Sequence, residues 1–425
     1  MDSVIIWLPA PEATDASRVG PKAANLAALG RAGLPIPDGH CVAAEAYRLQ
    51  LAALGLEHTA REVFSADDAQ ARRSALRMRM QLMEQPIAAE LQEPLIAAWR
   101  DLTRHGAIAG VVRSSALVED RHGSSFAGQF ESFLGIDTEE DFLTAVRGCW
   151  AALWAPRALR YMATHDVDPA STAMALLIQP LVAARAAGGG LSQTAAGGML
   201  INATPGLGSA IAQGEVAPDR YELGRDGRLR ESQAGMTYHQ ASCSHLTRPA
   251  RHRPKARTCL TPAQAEELGL YLIRAEAVMG RPVEIEWALD DAGFKLLQSR
   301  PLHLDDQPAQ VPDQIWLRQP RLRGQPAGVG WGTGRACVVN CECEISRIGP
   351  GDVLVTRMAG PALGRVLAIV AGVVSELGGS TSHLASLARE RCVPMVLGVA
   401  GATLQIPDGS QVAVDGVAGI VRWVR

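Results

Sequence analysis

Val373-Val374-Ser375-Glu376-Leu377-Gly378-Gly379-Ser380-Thr381-Ser382-His383-Leu384-Ala385-Ser386-Leu387-Ala388-Arg389-Glu390 is the stretch around which the rest of the chain is organised. An apolar, β-branched run reaches Val374 and predicts a strand. The glycine pair after it permits a tight turn and close backbone approach. Ser380, Thr381 and Ser382 can each cap a helix that starts near His383. An imidazole there meets unsatisfied N–H groups and the positive end of the helix dipole, where an anion is favoured. A neutral imidazole in that place can attack phosphorus, and the same backbone donors can hold the phosphorylated product. A capping or packing histidine leaves the same local trace, so other parts of the chain must decide between the two.

Gly378-Gly379-Ser380-Thr381-Ser382-His383-Leu384-Ala385, followed by Ala388-Arg389-Glu390 and by Val393-Pro394-Met395-Val396-Leu397-Gly398, closely resembles the phosphohistidine motif of phosphoenolpyruvate-utilising enzymes. That family includes phosphoenolpyruvate synthase, pyruvate phosphate dikinase and rifampin phosphotransferase. The resemblance makes His383 the residue that carries the phosphoryl group.

The bulk numbers agree with a soluble globular protein of two or three domains: 425 residues, 47% apolar and 20% charged. A net charge of −3 argues against general nucleic-acid binding. Met1-Asp2-Ser3-Val4 has no basic leader region, and no apolar run reaches the roughly 20 residues of a membrane helix, so a cytoplasmic protein is expected. The eight cysteines form no framework and read as reduced thiols. On a strand, Cys341 and Cys343 would face one side, but no second ligand pair accompanies them.

Towards the N-terminus, Val19-Gly20-Pro21-Lys22 places a lysine at the mouth of a helix, with Leu26, Leu29 and Ala32 at helical spacing and Gly33 as its stop. The dipole opposes a lysine there unless an anion is present. Residues 60–104 read as amphipathic helices. Val111-Val112-Arg113-Ser114-Ser115-Ala116 is a strand ending in Arg-Ser-Ser, followed by Glu119-Asp120 and by Ser124 to Ser132. Such a loop can lay N–H groups along phosphates, with Arg113 as a clamp. The block resembles the family's Arg-Ser-Ser…Glu-Asp…Ser-Phe-Ala-Gly-Gln signature. Lys22 and Arg113 thereby fall on its nucleotide-binding positions.

Gly188-Gly189-Gly190 and Gly197-Gly198 bracket an expected hairpin, where the family has a Ser-Gly-Val run instead. Ser209 replaces a glutamate at the family's Gly-Leu-Gly-Glu, a departure that bears on the terminal phosphate. Residues 235–258 form a basic loop with Arg248, Arg251, Arg253, Lys255 and Arg257, read as solvated. Thr261-Pro262-Ala263-Gln264 is a helix start with a capping box. In Pro282-Val283-Glu284-Ile285-Glu286-Trp287 the alternation turns Glu284 and Glu286 to one face. After a turn at Asp290 to Gly293, the return strand carries Gln298 and Arg300. Two carboxylates and a glutamine make an oxygen-rich set suited to Mg2+ bridging phosphates, although exposed alternating charges look similar. The resemblance to the family's Asp/Glu-x-Glu…Gln-x-Arg-Pro motif implies ATP binding by Glu284, Glu286, Gln298 and Arg300, with Glu286 and Gln298 associated with the metal. Glu284 stands where aspartate is commoner.

The expected fold is mixed α/β. The resemblance implies an ATP-grasp nucleotide-binding domain over residues 1–304, with a helical subdomain at about 55–105. A linker at 305–314 then leads to a small swivelling phosphohistidine domain over 315–425. The expected activity is an ATP-dependent dikinase-type phosphotransfer through His383 with ATP and Mg2+. The chain stops at Arg425 without the acceptor barrel of the dikinases, so the acceptor is expected on a partner subunit or at a small-molecule site. A non-catalytic nucleotide sensor and a phosphocarrier charged by another protein are the alternatives.

Overall fold

The computed structural model describes residues 3–65, 67–104, 109–119, 129–237, 253–254, 258–303 and 314–424. Asp120, the Ser124 to Gly128 run, most of the basic loop and all of the expected 305–314 linker but Gln314 lie outside them. The chain divides into two compact units, Met1–Ala183 with Lys295–Arg300, and Ala184–Phe294 with Pro301–Arg425.

In the first unit, a five-stranded sheet of described residues runs Ile5–Trp7, His40–Val42, Met174–Pro180, Gly110–Ala116, Ser132–Ile136, with every neighbouring pair antiparallel. The helix Ala16–Arg31 covers this sheet with Val19, Ala23, Leu26 and Ala27, which pack with Ile6, Leu8 and Leu177. The amphipathic region resolves into Glu57–Ser65, Asp68–Glu84 and Ala89–Arg104. The helical stretch expected from Phe142 to His165 is two helices, Glu139–Ala152 and Pro156–Thr164. Pro156 cannot donate within a continuous helix and opens the second one instead. Trp150 and Trp154 are fully buried there, and Trp154 Nε1 donates to the Tyr47 hydroxyl at 2.8 Å.

Among the described residues, the second unit contains two large sheets and a two-stranded one, Met236–Thr237 with Arg253–Pro254. In one large sheet, Val283–Asp290, Ala186–Leu191, Met199–Pro205, Asp219–Leu223 and Leu229–Gln233 lie side by side, all antiparallel. The helix Pro262–Met279 is backed against it, started by the expected capping box at Thr261 and ended by Gly280 in the left-handed conformation. Gly197 makes the hairpin turn with φ 78°, but Gly188, Gly189 and Gly190 lie within a strand. The other large sheet is ordered Arg321–Arg323, Ile420–Val424, Gln411–Asp415, Trp331–Val339, Val353–Thr356, Gly372–Ser375, Met395–Leu397, Gln325–Pro326. Its central strands from Trp331–Val339 to Met395–Leu397 are parallel, and the helix His383–Glu390 is the crossover between the last two. Parallel strands covered on both faces need continuous apolar runs, and Val353, Val355, Val374, Val396, Val414 and Trp423 form that core. Cys341 and Cys343 lie on no strand: Cys341 caps the short 3-10 helix Glu342–Arg347. No group of three or more His, Cys, Asp or Glu side chains placed to hold a metal ion occurs among the described residues. No helix among them is long and apolar enough to cross a membrane.

Candidate active site

Lys22 is placed by a kink at the start of its helix. Gly20 has φ 74°, and a Cβ there would stand 2.2 Å from the Ser115 carbonyl oxygen. Only glycine lets the helix lie that close to the strand Gly110–Ala116. Lys22 Nζ then meets a Glu119 carboxylate oxygen at 2.7 Å and donates to the Ser114 carbonyl at 3.3 Å. Glu119 has no exposed surface, and its other oxygen accepts from the Ala116 N–H at 3.0 Å. Burial pushes its carboxyl above the usual range, while Lys22 pulls the other way. The anion that a lysine at a helix start calls for is therefore in part supplied by the protein itself.

Arg113, on the same strand, donates through Nη1 to the Leu297 carbonyl and through Nη2 to Gln298 Oε1, both at 2.6 Å. Asn25, one turn beyond Lys22, donates to the Ser299 carbonyl at 3.1 Å. Gln298 and Arg300 are both buried, two residues apart on the strand Gly293–Pro301. Lys22, Arg113 and Gln298 thus share one hydrogen-bonded neighbourhood, with Arg300 two residues along. Glu119 belongs to this set, and its pairing with Lys22 was not foreseen from the sequence. The signal was present in the Glu119-Asp120 dipeptide beyond the strand.

In the second unit, Glu284 and Glu286 alternate on one strand, opposite Leu191 and Gly189 of the neighbouring strand. Glu284 is buried, and its carboxylate is taken by the histidine helix. Arg389 Nη2 lies 2.8 Å from Glu284 Oε2, and Ser386 Oγ donates to the same oxygen at 3.1 Å. Arg389 Nη1 also donates to the carbonyls of Ser380, at 2.6 Å, and Ala327, at 3.2 Å. His383 is the first residue of the helix, and Ser382 is its N-cap, accepting from the Ala385 N–H at 3.3 Å. Ser380 Oγ donates to the Pro326 carbonyl at 2.6 Å.

The glycines of the neighbouring strand explain how this loop fits. A Cβ on Gly189 would stand 2.5 Å from Thr381 Cβ, so the missing side chain is the seat of Thr381. Gly378 donates to the Val216 carbonyl at 2.9 Å, and Gly379 lies against Asn202 and Pro218. The Gly-rich departure noted in the sequence thus has a steric use in this chain. Ser209 opens the short helix Ser209–Ala212. Glu286, with Glu284 and His383, belongs to the second unit, whereas Gln298 belongs to the first.

Residues 16–316 match the family described as pyruvate phosphate dikinase, AMP/ATP-binding domain, and residues 348–419 match the PEP-utilising enzyme, mobile domain. The chain belongs to the pyruvate phosphate dikinase AMP/ATP-binding domain family. The expected α/β class, with a nucleotide-binding domain ahead of a mobile one, is borne out. A phosphoenolpyruvate synthase of Aeropyrum pernix is 29% identical over 98% of this chain and 58% of its own length. That of Pyrococcus furiosus is 28% identical over 98% of this chain and 58% of its own. That of Pseudomonas aeruginosa is 30% identical over 95% and 56%. The chain therefore spans under three fifths of the length of these relatives.

Proposed function

We propose that the chain carries out the ATP-dependent half of a dikinase-type phosphotransfer, with residues 1–304 as an ATP-grasp nucleotide domain and 315–425 as the phosphohistidine domain. The imidazole of His383 attacks the β-phosphorus of ATP. A nitrogen–phosphorus bond forms as the bond to the leaving AMP oxygen breaks. The γ-phosphate then passes to water or to phosphate, leaving a singly phosphorylated histidine, and the phosphoryl group goes on to an acceptor. Lys22, Arg113 and Arg300 would neutralise the phosphates, and fixed positive charge is worth most where charge develops.

Mg2+ suits the donor chemistry. It is usually held by one or two carboxylates plus phosphate oxygens and water, and Glu286 is a carboxylate of that kind. Glu286 and Gln298 are the oxygen donors we assign to it. When bound, the ion supplies charge neutralisation at the phosphates. Glu284 would join the nucleotide site only after giving up Arg389 and Ser386.

One observation carries this reading. The helix that begins with His383 and the strand that carries Glu284 and Glu286 are joined within one compact unit by a buried ion pair. A histidine that merely caps a helix needs no such link to a carboxylate strand. The name phosphoenolpyruvate synthase on the relatives makes pyruvate the acceptor to try first, delivered at a site that another polypeptide segment or subunit could supply.

The test is incubation with Mg2+ and ATP labelled at the β-phosphorus. The protein should acquire label that survives alkali and is lost in acid, with AMP as co-product, and His383→Ala should abolish the label entirely. AMP formation that persists in His383→Ala removes the histidine from the mechanism. Nucleotide binding without AMP formation favours a sensor. Absence of nucleotide binding leaves a carrier charged by another protein.

A further inference from the structure

The second unit contains a cavity of about 920 Å3 to which the phosphotransfer proposed above assigns no role. Its walls come from the outer strands of the antiparallel sheet and from the turns of the parallel one. Strand register places it on the sheet. Glu286 pairs with Gly189, Gly189 with Asn202, and Asn202 with Arg220. Arg220 is thus on the same rung as Glu286 but three strands away, roughly 14 Å at ordinary strand spacing. The Arg220 end of the cavity therefore lies away from the carboxylate strand on the same sheet face, while Leu191, opposite Glu284, lines the end nearer to it.

Four guanidinium groups, of Arg220, Arg230, Arg323 and Arg389, line it together with only two carboxylates, of Glu222 and Glu231. Glu222 is already paired with Arg220 through Nη2. The Nε of Arg220, however, is buried and has no hydrogen-bond partner among the described residues. A buried cationic donor left without an acceptor is costly, and an anion in the cavity would remove that cost. Leu191, Leu200 and Leu302, which form a small apolar cluster, also line the wall. The volume is in the range of small-molecule sites, and the mix of apolar wall and a few directed polar groups is what such sites have.

We propose that this cavity is a second ligand site, which takes a small organic anion with one carboxylate or phosphate group on an apolar body. The acidic group lies against Arg220, with Arg323 and Arg230 at the rim, and the apolar body covers the leucines. Arg389 borders the cavity on one side and holds Glu284 on the other, so an occupant touches the side chain that anchors the histidine helix. His383 itself is six residues back along that helix, roughly 9 Å at the ordinary helical rise. The site is therefore beside the phosphoryl carrier and not in line with it.

The test uses the intact chain and needs no phosphoryl transfer. Phenyl phosphate and benzoate serve as the two acid probes and benzyl alcohol as the neutral one, titrated calorimetrically. Both acids should bind saturably and the alcohol should not. Whichever acid binds more tightly identifies the headgroup. Arg220→Met should weaken the better probe about tenfold or more, as loss of a charge-assisted contact does. Ala418→Trp, which keeps every charge and fills space from the exposed rim, should block binding. Unchanged thermal melts would show that both variants fold. Saturating Mg2+ and ATP should leave the affinity within about twofold, which separates this site from the nucleotide site. Absence of saturable binding by both acids overturns the proposal. So does binding that survives both substitutions, or binding that ATP abolishes. Loss of His383 labelling would leave these outcomes untouched.

Discussion

The two clusters of motif residues are held in opposite ways. In the first unit, the cations expected to meet phosphate are fixed by groups from their own unit: Lys22 by Glu119 and Ser114, Arg113 by Gln298 and Leu297. In the second unit, the carboxylate expected to serve the nucleotide is held by the helix that begins with His383. The first arrangement preorganises charge: side chains already in place lose little entropy when phosphate arrives. The second is a competition. Whatever takes Glu284 must take it from Arg389, so release of the histidine helix and use of that carboxylate are linked.

The largest effect should come from breaking the second arrangement. Arg389 and Glu284 are both nearly fully buried, and removing one partner leaves a charge in a dry site. Arg389→Met should cost about 3–5 kcal/mol, read as a fall in the urea midpoint. Adding Glu284→Gln should recover more than half of that, because no charge is then stranded. If the double variant is as unstable as the single one, the carbonyl contacts of Arg389 matter more than its charge, and the competition disappears.

Lys22→Met probes the first arrangement and should cost less, about 2 kcal/mol near neutral pH, because Glu119 can escape by taking a proton. The sign of its pH dependence follows. Burial already raises the folded-state carboxyl above its unfolded value, and removing Lys22 removes a cause that lowers it. The folded form then binds the proton more tightly than the unfolded form, so stability is fullest below the unfolded carboxyl range and is lost as pH rises through the folded value. Thermal melts of Lys22→Met across pH 4.5 to 8 should therefore recover towards wild type at the acid end. A variant that is equally destabilised at every pH would mean that Glu119 does not change its protonation.

This contrast also marks how much could be read from the residues alone. His383 as a capped first helical residue, the strand alternation of Glu284 and Glu286, and the Thr261 capping box were legible because each is a local pattern with a period or a fixed spacing. Lys22 with Glu119 was half legible: a lysine at a helix start asks for an anion, but the partner is 97 residues away and only the folded sheet brings it near. The Arg389 to Glu284 pair left no trace in periodicity, since it joins residues 105 apart, one on a helix and one on a strand. The three strand glycines were read as hairpin punctuation because glycine usually breaks a strand. Their use is steric, and the side chain that needs the space is far away in sequence.

The smallest effect tests that last point. A Cβ on Gly189 would meet three atoms of Thr381 at 2.5, 2.7 and 2.8 Å, closer than non-bonded atoms tolerate. The backbone at Gly189 is ordinary strand, so the substitution is opposed by crowding and not by conformation. Gly189→Ala should cost about 1–2 kcal/mol, the range for overpacking by one methyl group. Thr381 is a short side chain with its hydroxyl 3.5 Å from Asn202 Oδ1, so it has little room to retreat. The loop should instead lift, and hydrogen exchange in the helix His383–Glu390 should quicken while the helix Ala16–Arg31 in the other unit keeps its rate. Adding Thr381→Gly removes all three clashing atoms and should restore most of the protection. Recovery in the double variant would tie the glycine to the seating of the histidine loop. Equal exchange in all three variants would mean that the strand can shift to admit a methyl group, and the seat would then be a consequence of the packing and not its cause.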